Sequence, residues 1–220
     1  MPHTPRAKSR PADRLVLRDV DWVTYTRLLH AFAEYPGTRL TYVRGVLEIM
    51  SPSHAHDSDS AYLSFMVLVL IEELRLAMKV AGSTTLRRRL KQRGLEPDQS
   101  FWIANEPKVR GKRKINLRVD PPPDLAIEID ATRSSLNRMG IYASLGVPEV
   151  WRLTRKGMTF NALQPDGSYK PVSNSLSFPL LTPADLTSFL ALRSQLEETE
   201  VLRQFRAWVR QRQAGPALQP

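Results

Sequence analysis

Apolar positions recur along this chain with two periods, and their order outlines the fold. In "DWVTYTRLLHAFAEY" (21–35), Trp22, Tyr25, Leu28, Leu29 and Phe32 fall at helical spacing, and Pro36-Gly37 is expected to end the helix. "TRLTYVRGVLEIMSP" then alternates as a hairpin: Arg39–Val43, a turn at Arg44-Gly45, and residues 46–50, with Pro52 stopping the second strand. Residues 56–81 predict a helix capped by Asp57 or Ser58 and followed by Gly82, and its stretch "AYLSFMVLVLIEELRLAMKVA" (61–81) is apolar almost all round, so it is a core helix.

Beyond it, "STTLRRRL" reads as a strand, "KQRGLEP" as a turn and "DQSFWIAN" as a strand. "EPKVRGKRKINLRVDPP" reads as a basic loop, and "DLAIEID" as a strand. "TRSSLNRMGIYASLG" predicts a helix, with Thr132 or Ser134 as cap and Gly146 at its end. "PEVWRLTR" follows as a strand, "MTFNALQPDGSYKPV" as a hairpin turning at Asp166-Gly167, and residues 186–212 as a long C-terminal helix. A helix, a meander of strands, then a crossover helix into a further strand predicts an α/β domain: a mixed sheet with helices on its faces.

The 220 residues suffice for one sizeable core, so a single domain is expected over 15–190. A Pro- and Arg-rich disordered segment is expected over 1–14, and a C-terminal helix and tail over 191–220. There is no cysteine, which excludes disulfides and thiolate metal sites and fits a reducing cytoplasm. The longest apolar run, "FMVLVLI", is too short to span a bilayer, and no signal peptide is expected. Lys and Arg number 32 against 22 Asp and Glu, a formal net charge of +10. Such an excess favours a polyanionic partner, nucleic acid first.

The candidate chemistry lies in "PPDLAIEID" (122–130), where Leu125, Ile127 and Ile129 alternate with Asp124, Glu128 and Asp130. Acids on one strand face are solvated, pair with bases, or hold a metal. Solvation is weakened by the central-strand position. Pairing has partners in Arg133, Arg138 and the basic loop. The metal reading needs an oxygen ligand from another element, and Asp98, after Pro97 on the preceding strand, supplies one. Two carboxylates with waters and a phosphate oxygen are a usual way to hold Mg²⁺. Asp124, at the strand's start, is expected to be structural.

The strand order, with Pro97-Asp98 on one strand and Glu128 on the next, resembles the PD-(D/E)XK nuclease superfamily. Within it, the chain resembles the Uma-type family of restriction endonuclease-like proteins. The resembling stretches are "GVLEIMSPSHAH" (45–56), "RGLEPDQSFWIANE" (93–106), "PPPDLAIEID" (121–130) and "SLNRMGIYASLGVPEVWRL" (135–153). The resemblance implies a Mg²⁺- or Mn²⁺-dependent endonuclease acting on DNA, with Asp98 and Glu128 as metal ligands. It implies further motif positions at Glu48 and His56. The superfamily pattern expects lysine two residues after the glutamate, where this chain has Asp130. The basic residue is then implied to be Arg138, four residues before Tyr142. Arginine stays protonated, so it can stabilise transition-state charge but is a poor general base. Asp130 is left as a third ligand or a partner of Arg138 or Arg133.

Two basic runs flank the proposed strands: "LRRRLKQR" (86–93), with Arg87, Arg88, Arg89 and Lys91, and "KVRGKRKINLR" (108–118), with Lys112, Arg113 and Lys114. They are the expected nucleic-acid contacts, against a bland reading as solvated charge. A homodimer is expected, with the C-terminal helix as one possible contact. The competing readings are a catalytically weak nucleic-acid-binding module on the same fold and, more remotely, a protein-interaction role.

Overall fold

The structure, a computed structural model, describes residues 13–214 other than 34, 36, 83 and 131–135. The expected disorder of the N-terminal segment therefore concerns, for residues 1–12, a stretch outside the described residues. The expected caps Thr132 and Ser134, the residue Arg133 and the helix-ending Pro36 lie outside them too.

Two sheets organise the chain. The first is antiparallel and begins with β1 (Asp13–Leu17), so Asp13 and Arg14 are strand residues. β2 (Arg39–Val43) and β3 (Val46–Ser51) form the hairpin, turned by Arg44 and Gly45, both at positive φ. β5 (Leu86–Arg88) and β6 (Arg93–Leu95) complete it in the order β1-β3-β2-β6-β5. β6 falls where a turn was expected. Its three residues carry no readable alternation, yet it is a central strand, because Gly94 lets the Tyr25 ring pack directly on the backbone. α1 (Trp22–Ala31) is capped by Asp21 and covers this sheet through Tyr25, which stacks on Tyr42 with ring centroids 4.6 Å apart.

The second sheet runs β11-β10-β9-β8-β7-β4. Its strands are β4 (Lys79–Val80), β7 (Gln99–Trp102), β8 (Leu125–Ile129), β9 (Glu149–Thr154), β10 (Gly157–Leu163) and β11 (Tyr169–Val172). β8 and β9 are parallel, as a crossover helix requires, and that helix is α4 (Arg138–Leu145), capped by Asn137 and closed by Gly146 in the left-handed region. A short α3 (Glu106–Val109) opens the basic loop.

β8 is buried on both faces. Leu125, Ile127 and Ile129 enter the main core with α2 (His54–Glu73). Ala126 faces α4 together with Leu86 and Leu95 of the first sheet, so α4 is packed between the two sheets. α2 is capped by Ser53, not Asp57 or Ser58, and it stops eight residues before the expected end. Arg75 takes a positive φ and turns the chain, and Lys79–Val80 then pair with Trp102 and Phe101. The C-terminal region is two helices, α5 (Pro183–Leu192), with a Thr182–Asp185 capping box, and α6 (Glu198–Gln213). α6 buries Val201, Phe205 and Val209 in the main core, and Arg206 and Arg210 fork Glu73 of α2.

Candidate active site

β7 and β8 are antiparallel with Gln99 opposite Ile127, and the ladder continued by one residue sets Asp98 opposite Glu128. Asp98 is buried, and its Oδ2 accepts the Ile129 backbone N–H at 2.7 Å. His56, in the first turn of α2, places Nε2 3.2 Å from the same oxygen. Asp98 Oδ1 accepts no hydrogen bond among the described residues. Burial works against a charged His56, but the Asp98 carboxylate, with Asp57 and Glu128 beyond it, holds the imidazole above its ordinary pKa. His56 Nδ1 is buried without a partner, since Asp57 is 3.6 Å away, beyond hydrogen-bonding distance.

Glu128 is held from α4. Arg138 Nε donates to Glu128 Oε2 at 2.7 Å and an Nη2 hydrogen to Oε1 at 2.7 Å, a bidentate fork. The Tyr142 hydroxyl, one helical turn further on, donates to Oε1. Arg138 also reaches the first sheet, through Nη1 to Thr41 Oγ1 at 2.6 Å and Nη2 to the Glu96 carbonyl at 2.9 Å. Burial pushes the Glu128 carboxyl up, partly offset by Arg138. Burial also opposes the Arg138 charge, but Glu128, Tyr142 and Asp98 outweigh it and keep the guanidinium protonated. Burial beside Glu128 lifts the Tyr142 phenol well above its ordinary value, so its hydroxyl remains a donor.

Glu48 is buried, only 2% exposed, and does not face solvent. It stands directly opposite Thr41 across the β2–β3 ladder, so it shares a sheet face with the residue that meets Arg138. Its carboxylate lies 3.5 Å from Arg14 Nε. Asp130 pairs with Arg152 of β9, and among the described residues it meets neither Arg138 nor the Asp98–Glu128 pair through a hydrogen bond or ion pair. The Asp124 carboxylate accepts the Ile103 N–H at 2.7 Å, the Asn105 N–H at 2.9 Å and the Asn105 side-chain amide at 2.6 Å, fixing the chain as it leaves β7.

Tyr142, Thr41 and the Glu96 carbonyl were given no role in the sequence. Only Tyr142 left a signal: it follows Arg138 by four residues, which puts both on one helix face.

The acid pair fits a divalent cation in kind: hard oxygen donors, buried, with one Asp98 oxygen unengaged among the described residues and two carboxylates near one guanidinium. Both Glu128 oxygens, however, are engaged by Arg138, and among the described residues no three His, Cys, Asp or Glu are grouped to hold a metal. A cation on Glu128 therefore requires the fork to yield one oxygen.

The basic runs are brought together, because Arg88 Nε donates to the Leu117 carbonyl at 3.0 Å. Arg89, Lys91, Arg113 and Lys114 are exposed. Lys112 pairs with Asp120, and Arg87 is half-buried with Nη1 unpartnered, so those two and the tethering Arg88 are less available to a ligand.

A mixed sheet with a parallel β8–β9 pair, acids on adjacent strands and a crossover-helix cation define a restriction endonuclease-like α/β protein. A family model described as "Putative restriction endonuclease" matches residues 22–197, and the chain belongs to that family, Uma2. Comparison with curated proteins returns no match. No helix among the described residues is long and apolar enough to cross a membrane.

Proposed function

We propose that the protein is a Mg²⁺- or Mn²⁺-dependent endonuclease that hydrolyses DNA phosphodiester bonds, acting in the cytoplasm as a homodimer. The observation that carries this reading is the buried Asp98–Glu128 pair across β7 and β8, in a chain of this family. Asp98 and Glu128 would hold the ion, which supplies a polarised phosphoryl oxygen and an acidified water when bound. His56 and the Ile129 N–H orient Asp98 by fixing Oδ2, which leaves Oδ1 as the donor. Arg138 stays protonated and faces the developing charge on the phosphate. The exposed Arg89, Lys91, Arg113 and Lys114 neutralise backbone phosphates.

A second reading, a nucleic-acid-binding module with weak or no cleavage, is favoured by one observation, the closure of both Glu128 oxygens by Arg138. Incubating supercoiled plasmid with the full chain and Mg²⁺ or Mn²⁺ separates them. Nicking or linearisation that Asp98→Asn abolishes, while DNA affinity persists, supports the nuclease. Salt-sensitive binding with intact plasmid in both metals supports the binding module.

A further inference from the structure

The two most exposed large apolar side chains among the described residues are Leu90, at 91%, and Val119, at 81%. Leu90 lies in the first basic run and Val119 directly follows the second, and the Arg88–Leu117 hydrogen bond joins the two runs. Leu90 is the middle residue of a 3-10 turn, Arg89–Lys91, with an exposed cation on each side. The turn is anchored. Gln92 takes a left-handed conformation, its carbonyl accepts the Arg44 N–H at 2.9 Å, and Arg93 donates to the Gly140 carbonyl of α4 at 2.8 Å. A single exposed leucine is ordinary on a protein surface. One presented at the tip of a fixed turn, between two exposed cations, is shaped for a ligand that is anionic outside and apolar within.

We infer that Leu90 is a wedge that enters a DNA duplex between base steps while Arg89 and Lys91 grip the flanking phosphates. The inference rests on the proposal that the basic surface binds DNA, and it adds how that surface deforms the duplex. A stacked duplex meets both requirements, since its backbone is charged and the faces between its bases are apolar, and leucine is among the side chains that kink DNA in this way. The path from Leu90 at the tip to Asp98 spans eight residues, about 27 Å at most. That is roughly eight base steps along one strand. The unstacked step therefore lies within about one helical turn of the acid pair, on the same bound duplex.

The test uses the full chain without divalent metal and a short duplex carrying 2-aminopurine at several adenine positions. Binding is followed by polarisation of an end label, and unstacking by 2-aminopurine fluorescence. Wild type is expected to bind and to raise the fluorescence. Leu90→Ala, which alters an exposed side chain and should melt with wild type, is expected to bind about tenfold more weakly and to give no rise at saturation. Arg89→Ala with Lys91→Ala is expected to weaken binding and flatten its salt dependence while keeping the rise at saturation. Saturated wild type with unchanged fluorescence, or an undiminished rise with Leu90→Ala, overturns the wedge and leaves the DNA-binding reading standing. Failure of wild type to bind the duplex at any salt concentration overturns both. Leu90-dependent binding to phosphatidylglycerol vesicles, with no response from the duplex, overturns the wedge in favour of a lipid surface.

Discussion

Removing Arg138 should destabilise the fold more than any other single change at the site. Its side chain is only 15% exposed, so solvent screens it little. In Arg138→Met the methionine fills part of the space, but Glu128 is left as a buried carboxylate with the Tyr142 hydroxyl as its remaining partner. Breaking a buried ion pair by removing one member costs about 3–5 kcal/mol. The Glu96 carbonyl and Thr41 hydroxyl also lose their donor, and an unpaired buried acceptor costs about 1–3 kcal/mol. Water entering the space offsets part of this, so the expected loss is about 4 kcal/mol. At roughly 2–4 °C per kcal/mol for a chain of this size, Tm should fall by about 8–16 °C.

The deficit should depend on pH, with a definite sign. Without Arg138 the Glu128 carboxyl titrates further above its unfolded value. The folded state then holds the extra proton, and stability falls as pH rises through that window. The loss is therefore smallest near pH 4 and largest at neutral pH. Adding Glu128→Gln to Arg138→Met removes both charges and should recover about 2 kcal/mol relative to the sum of the single changes. Thermal unfolding followed by circular dichroism measures all four species. An Arg138→Met protein that melts within about 2 °C of wild type, or strictly additive losses, would refute the reasoning.

Further outcomes follow from three contacts away from the acid pair. Arg210 and Arg206 hold the Glu73 carboxyl down to about 2, so the α2–α6 clamp contributes stability above the ordinary carboxylate pKa and loses it as pH falls towards that value. Between those limits, Tm should drop more steeply for wild type than for Glu73→Gln. Tyr25→Phe removes a buried hydroxyl that has no partner and should stabilise by about 1 kcal/mol in urea unfolding. Gly94→Ala would place a Cβ 2.3 Å from that hydroxyl, costing about 1–3 kcal/mol, and the Tyr25→Phe background should relieve much of the loss. Asp124→Ala should cost about 3 kcal/mol through its lost backbone hydrogen bonds. Calorimetric titration with Mn²⁺ should give that variant wild-type affinity, which would separate Asp124 from the acids that face the site.

The parts of the fold legible in the sequence were those set by local rules. The β2–β3 hairpin, β8, α4 with its Gly146 cap, and the β10–β11 turn all follow from alternation and turn chemistry. The parts that were not legible depend on partners distant in the chain. Residues 74–81 continue an apolar run, but β7 offers Lys79–Val80 an edge to pair with, and no local pattern encodes that competition. β6 is a strand because β2 and β5 flank it and Tyr25 needs Gly94. At the site, the opposition of Asp98 and Glu128 could be read from strand order. The partner of Asp130 could not, because Arg152 reaches it only once β9 lies parallel to β8.

Under the proposed function, Arg138 would stand in for the strand lysine that Asp130 displaces, and its contacts set what it could do there. A lysine two residues after Glu128 would end in a mobile ammonium with no obligation to the fold. Arg138 comes from α4, and four of its hydrogen bonds are committed: two to Glu128, one to Thr41 and one to the Glu96 carbonyl. A guanidinium has five N–H donors, so a single Nη1 hydrogen remains for an incoming oxygen. The cation is thus fixed in place between the two sheets, where under the proposed function it would polarise one substrate oxygen without following it. Because the same fork occupies both Glu128 oxygens, chemistry at this site is coupled to the packing of α4: whatever frees a Glu128 oxygen must first shift the residue that joins the sheets.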